Sequence, residues 1–413
     1  MSPPPRAENQ FVGKGRRTLT ALCATAVLGL AACTASSTPS PVTPEGVTRT
    51  TTRAVSTTTR TRLARRPSPK TTAAPATTTT TQSGAPTTPT LSTVRGCTLM
   101  PANSIFHADI TGASVIPQSS AWTATIGGTL RAGYGGFWEN TTFGIPVNFV
   151  PADRAKETVV FNRGYSSSGP GIDNRPYAIP DYPLVEGMPA APAYDRHLLV
   201  LQEGTCIMQE LINVANGVEL PPAGLGDALA NAVYASAFGS TWLAQGGVQY
   251  DLNSNAYFDD RGWADAAHLP MYPLKVRPDE VARGVIDHMI GAVIAADRGH
   301  GSVWPARAGD GTRPDASGVP MGSVLRLRAD FDLSRFGPYA QTVLRALQVH
   351  GAVIHDSGPA TEGLHITGVS NGWTDEAARA TMQRELSTVP LSAFDIVDVT
   401  PMAASPATSW QVR

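Results

Sequence analysis

"DRHLLVLQEGTCIMQELINV", residues 195–214, sets the fold class. Leu198 to Leu201 and Cys206 to Ile212 are short apolar runs, and Glu203-Gly204-Thr205 between them is turn chemistry, so the segment reads as a β-hairpin. Runs of the same kind recur at "ETVVFNRG" (157–164), "SVLRLRADFDLS" (323–334), "GAVIHDSG" (351–358), "GLHITGVS" (363–370) and "FDIVDVT" (394–400). In "VLRLRADF", Val324, Arg326 and Arg328 fall on one face and Leu325, Leu327 and Ala329 on the other, the alternation of a sheet with one wet face.

Helical spacing is rarer. Residues 337–351 place Tyr339, Val343, Leu344 and Leu347 on one stripe, with Pro338 near the start and Gly351 at the end. Residues 374–387 open on Thr374 as N-cap with acids in the first turn, and residues 221–238 form a third candidate. Residues 279–296 fit either a long helix or a turn followed by a strand. With no repeat and no strand–helix alternation, the expected fold is mainly β: a two-sheet β-sandwich or jelly-roll-like core with a few peripheral helices, one domain over 97–413.

Upstream of that domain the chain changes character. Residues 1–33 carry Arg16 and Arg17, an apolar run from Leu19 to Leu30, and small residues, the pattern of an export signal too short to span a bilayer permanently. Leu30-Ala31-Ala32-Cys33 resembles the lipobox of bacterial lipoproteins, which implies lipidation of Cys33 (a palmitate-type acyl chain) and a membrane anchor outside the cytoplasm. Residues 34–96 are threonine, proline, serine and alanine with scattered arginines, a composition expected to stay disordered and extended.

Charge divides along the same line. The whole chain carries −1 while residues 1–33 carry +3 and residues 34–96 carry +7, so residues 97–413 carry −11. An acidic surface repels phosphate backbones, which argues against a nucleic-acid partner. Cys97 and Cys206 are the two cysteines of the domain, and an even pair in an exported protein suggests one disulfide. No C-x-x-C or H-E-x-x-H occurs, so no metal or cofactor is expected, although the aspartate-rich loop keeps an oxygen-ligated calcium open.

The motifs that are missing narrow the chemistry. There is no G-x-S-x-G, no G-x-x-x-x-G-K-[ST] and no G-x-G-x-x-G after a strand. What stands out is carboxylates and aromatics clustered at strand ends and loops: Tyr177, Asp195, His197 and Glu210, then Asp251, Asn253, Asn255, Trp263 and Asp265, then His288, Trp304 and Arg307. Sugars call for flat aromatic faces and planar hydrogen-bonding groups, and glycoside cleavage adds two carboxyls in unequal environments. On that reading Glu210 and Asp265 are the acid/base pair, with Asp251 and His197 supporting or orienting them. Tyr177, Trp263 and Trp304 form the sugar platform, and Asp195, Asn253, Asn255, His288 and Arg307 are further ligand contacts.

Each residue also has a plainer role open to it. Glu210 fits an outward-facing strand position, Asp251 an Asx-turn, and Asp265 the cap of a single helical turn. His197, His288, Trp263 and Trp304 fit core positions.

The chain resembles a family of uncharacterised exported bacterial proteins. The resemblance covers nearly all of 97–413 and rests on "PYAIP" (176–180) with "EG" (186–187), "DRHLLV" (195–200), the cysteine and glutamate of "CIMQE" (206–210) and "YDLNSNA" (250–256). It continues in "GWADAAHLP" (262–270), "DEVARGVIDH" (279–288), "VWPAR" (303–307), "PMGSVLRLRADFDLS" (320–334) and "LRALQVHGAVIHDSG" (344–358), and departs at "VEGMPAAPAY" and the alanine-rich 221–238. It implies an exported single-domain fold and no named activity. The expected function is a surface-anchored carbohydrate-active protein, a glycoside hydrolase or polysaccharide lyase, with a glycan-binding or structural envelope role as the alternative. Its expected partners are a polysaccharide or cell-wall glycan and, through the lipid, the membrane; a monomer is expected.

Overall fold

The computed structural model describes residues 91–132, 145–161, 173–186, 195–216, 241–257, 262–358 and 362–413. The signal region with Cys33, the linker up to residue 90 and the helix expected at 221–238 lie outside the described residues. Ser83–Arg413 form one compact unit. Ordered structure begins before Cys97: Thr93–Val94 pairs antiparallel with Cys97–Thr98, and the Ser92 amide donates to Asp287 Oδ2 at 2.8 Å. The linker expected to run to residue 96 therefore ends earlier, because the domain satisfies the backbone of its last residues.

Two main sheets carry the fold. In chain order their strands are β1 (Ser114–Val115), β2 (Leu130–Ala132), β3 (Val147–Val150), β4 (Leu198–Gln202), β5 (Ile207–Ile212), β6 (Gly246–Asp251), β7 (Ile290–Ala295), β8 (Val324–Leu327), β9 (Ala352–Gly358), β10 (Leu364–Ile366) and β11 (Phe394–Asp398). One sheet runs β6-β5-β4-β3 and the other β1-β11-β8-β9-β7-β10-β2. The class is mainly β with a few peripheral helices, as the sequence predicts. The expected hairpin is β4 and β5, antiparallel with Leu198 opposite Leu211 and Gln202 opposite Ile207.

The pairing is mixed. β3 and β4, β7 and β9, and β10 and β2 are parallel, although the sequence lacks strand–helix alternation. Long non-repeating segments make these crossovers, and a parallel pair needs only a connection long enough to return the chain.

The four-stranded sheet is covered on both faces. Leu199, Leu201 and Met208 belong to the main core between the sheets, while Leu198, Val200 and Leu211 pack with Val159, Phe161, Tyr177 and Trp242 in a second core. That two-sided burial explains why 198–201 reads as an unbroken apolar run. It also forces any polar side chain on β5 to find partners inside the protein.

Four described helices lie outside the sheets: α1 (Ser119–Ile126), α2 (Pro278–Arg283), α3 (Pro338–Val349) and α4 (Glu376–Leu386). The ambiguous segment 279–296 is a short helix and then a strand: α2 stops at Gly284, whose φ of 82° is left-handed, and β7 follows from Ile290. The N-cap of α4 is Asp375 rather than Thr374, since its Oδ1 accepts the Ala378 amide at 2.8 Å.

Cys97 and Cys206 form the disulfide, Cα to Cα 5.5 Å, across a sequence separation of 109 residues. It ties the entering chain to the turn of the β4–β5 hairpin. Closing so long a loop removes much of the unfolded chain's freedom, so Cys97→Ser with Cys206→Ser is expected to cost about 2–5 kcal/mol. Urea unfolding with and without reductant measures this; an unchanged midpoint would contradict it.

Candidate functional site

One loop fills the gap between the two sheets. Gly262 to Lys275 buries Ala264, Ala267, Leu269, Met271, Tyr272 and Leu274 in the main core, so its backbone polar groups need partners from the flanking strands. Those partners are the charged residues of the sequence. His197 Nε2 lies 3.0 Å from Ala264 O. Asp356 Oδ1 accepts the Ala266 amide at 3.3 Å, His355 O accepts from Ala267 at 2.9 Å, and Asp265 Oδ1 accepts from Leu269 at 2.9 Å. The Glu210 carboxylate accepts from both Met271 and Tyr272, each at 3.1 Å.

His355 and Asp356 are consecutive yet both reach this loop, which regular strand alternation forbids. A bulge resolves the conflict. Ala292 pairs with Ile354 but Val293 pairs with Asp356, leaving His355 as the extra residue. Its Nδ1 lies 3.0 Å from Asp265 Oδ2, and its ring is pressed against Gly291, where a Cβ would come within 2.8 Å of the ring carbon Cδ2.

A cleft of about 640 Å³ opens where this loop meets the sheet edges, lined by Asp195, Trp263, Asp265, His268, Asp310 and Asp356 among others. Trp263 and His268 lie nearly parallel, 13° between planes, with ring centroids 6.5 Å apart. His268 (φ 55°) and Asp195 (φ 37°) hold left-handed backbone that is costly for residues other than glycine. A second depression of about 590 Å³ between α1 and β11 has Ile116, Leu391 and Phe394 in its wall and no buried ionisable group, so the chemistry belongs to the first.

Burial raises three carboxyls of the cleft, Asp195, Asp265 and Asp356. Burial pushes Asp356 up to about 7, with Asp265 adding to the rise and His355 and His197 opposing it. Its Oδ1 accepts two amides, Ala266 and Ser357, and its Oδ2 has no hydrogen-bond partner among the described residues. Burial also pushes Asp265 well above the ordinary carboxylate range, against the pull of the Leu269 amide, His197 and Lys275. Behind them, burial lowers Lys275, which is 1 % exposed, against the pull of Glu186, Glu210, Asp356 and Asp265. Burial raises Glu210 to about 8 against its two amide bonds.

The residues singled out in the sequence divide into three groups. Asp195, Trp263 and Asp265 line the cleft, and His197 stands directly behind it. Glu210 is fully buried, with both oxygens on loop amides, so it is neither a cleft acid nor an outward strand residue: both faces of its sheet are covered.

The remainder sit elsewhere, in structural roles. Asp251 makes the Asx-turn, Oδ1 accepting from the amide and side chain of Asn253 at 3.0 Å each. It pairs with Ile207, at the end of β6 opposite Gly246 and the cleft-lining Ile212, roughly 16 Å along the strand. Asn255, Trp304 and Arg307 gather around the C-terminal segment. Trp410 N donates to Asn255 O, Trp304 Nε1 to Ser409 O, and Arg307 stacks over Tyr257, which packs edge-on to Trp410. Tyr177 is buried with its hydroxyl on Asp173 O, and His288 bonds Glu280 at the base of α2.

Asp251→Ala is therefore expected to cost no more than about 1 kcal/mol and to leave the cleft unchanged, a result that urea unfolding checks. Asp356 was not among the sequence candidates. Its signal is the abrupt "HDSG" at the end of the apolar run of β9. Among the described residues no group of three or more His, Cys, Asp or Glu is placed to hold a metal ion, and no helix is long and apolar enough to cross a membrane. No protein-family model, curated protein or solved structure matches the chain.

Proposed function

We propose that the chain is an exported, lipid-anchored glycoside hydrolase whose acid and base are Asp356 and Asp265, in place of the Glu210 and Asp265 pair read from the sequence. The observation that carries this reading is two carboxyls in unequal surroundings lining one cleft beside Trp263. Asp356 has the chemistry of a general acid: a carboxyl that titrates near neutrality and an Oδ2, without a hydrogen-bond partner among the described residues, to hand its proton to the glycosidic oxygen. Asp265, held as a carboxylate on this reading by the Leu269 amide and the His355 ring, stabilises the sugar cation that develops as the bond breaks and takes the proton of the water that captures it. Trp263 supplies the flat apolar face that a sugar ring stacks on.

Because Asp265 is 2 % exposed, a second reading keeps the same cleft and aromatic face but no turnover: a glycan-binding envelope protein. One assay separates them. The purified chain is incubated with a panel of cell-wall and plant polysaccharides, scoring new reducing ends and retention on the insoluble polymers. Product that disappears in Asp356→Asn supports the hydrolase. Retention without product moves the assignment to binding, and neither result on any polymer removes the carbohydrate reading.

A further inference from the structure

His197 sits where β4 begins, and both of its ring nitrogens face acceptors. Nδ1 is 2.7 Å from Glu186 Oε2 and Nε2 is 3.0 Å from Ala264 O. A peptide carbonyl only accepts, and Glu186 Oε2, which accepts the His197 amide at 3.1 Å, acts as an acceptor toward this residue. A neutral imidazole has one N–H and satisfies one of these partners; an imidazolium satisfies both.

The residue bonded at Nε2 immediately precedes Asp265, so the ring touches the peptide that carries the cleft carboxylate. We propose that His197 is a permanent imidazolium and the positioning residue of the cleft: it pins the Ala264–Asp265 peptide and, by its charge, favours the ionised form of both cleft carboxyls. This rests on the acid/base reading of the cleft.

The opposite sheet points the same way. His355 Nε2 is buried without a hydrogen-bond partner among the described residues. If Asp265 held the proton and gave it to Nδ1, Nε2–H would be an orphaned buried donor. If Asp265 is ionised, Nδ1–H donates to it and Nε2 is a bare acceptor, which proteins tolerate better. Burial lowers His355 to about 3, so it stays neutral and contributes a donor rather than a charge.

The charged groups acting on His197 are Glu186, Asp195, Asp356 and Asp265, with His355 and Lys275 also acting on the two cleft acids. Burial works against the charge on His197, and Glu186 overrides it, raising the ring to about 9.

Ring-nitrogen and carboxyl-carbon NMR on the full chain test this with no need for activity. In the wild type both His197 nitrogens are expected to carry protons at neutral pH, with no titration between pH 5 and 8. Glu186→Gln keeps a hydrogen-bonding partner and removes its charge. It is expected to bring the His197 midpoint down into that range and, once the ring is neutral, to raise the Asp265 and Asp356 midpoints by roughly one unit. His197→Gln, whose amide still reaches Ala264 O, is expected to give the same carboxyl shift. A neutral-imidazole pattern in the wild type overturns the proposal, as do unchanged carboxyl midpoints in a Glu186→Gln protein whose His197 has lost its charge. An inactive wild type with a protonated His197 removes the acid/base reading and leaves the charge assignment standing. An active wild type with a neutral His197 removes only the latter.

Discussion

Asp356→Asn is expected to lower glycan cleavage by about 10²–10⁴-fold while the protein stays folded, because the amide keeps the acceptor for the Ala266 and Ser357 amides and loses only the transferable proton. The wild-type pH profile carries the matching sign. A carboxyl lifted to about 7 by burial is protonated below that value, so cleavage falls as pH rises through 7. In Asp265→Asn the general acid remains and the stabilising charge goes. Its activity should therefore drop as well, with the falling limb moved to lower pH because a neighbouring negative charge no longer raises Asp356. A profile flat from pH 5 to 9 in an active wild type would rule out Asp356 as the acid.

Glu210→Ala is expected to be the most damaging single change to stability, about 3–5 kcal/mol. The substitution leaves the amides of Met271 and Tyr272 buried without acceptors and opens a void in the main core. Each orphaned donor costs about 1–3 kcal/mol, and a domain's whole stability is only about 5–15 kcal/mol. Glu210→Gln keeps one acceptor and should lose less. The pair also differ in pH response. Burial holds the folded Glu210 at about 8, whereas an unfolded glutamate titrates near 4.3, so the folded state retains a proton that the unfolded chain has released. That contribution is complete below about pH 4 and fades as pH rises toward 8. Urea midpoints at pH 5 and pH 8 should therefore fall further apart in the wild type than in Glu210→Gln.

The hairpin was legible because its two apolar runs and turn are local signals, and so were the strands at 323–334, 351–358, 363–370 and 394–400 and the helices at 337–351 and 374–387. The carboxylate roles were not. Glu210 looks like any polar residue in a strand until the second core on the far side of β5 is known, and that cover comes from Val159, Phe161 and Trp242, distant in sequence. Asp356 was hidden by a one-residue bulge, which shifts its side chain onto the face shared with His355. No periodicity in "GAVIHDSG" encodes that shift; the parallel partner β7 imposes it. Residues 248–270, dense in aspartate and aromatics, hold two different devices: Asn255 to Tyr257 fasten the C-terminal segment, and Gly262 to His268 form the cleft wall.

The link between Cys97 and Cys206 gives the folded unit a defined response to tension. A pull between the N-terminal chain and the C terminus enters at Thr93–Thr98 and passes through the sulfur bridge to the hairpin turn, skipping every residue between the two cysteines. The 109-residue stretch is thereby withheld from extension, a reserve of roughly 370 Å of contour at the reach of an extended chain. Stretched in oxidising surroundings, the unit is shorter by that length than its residue count implies, and reduction under load should release it as a single additional step.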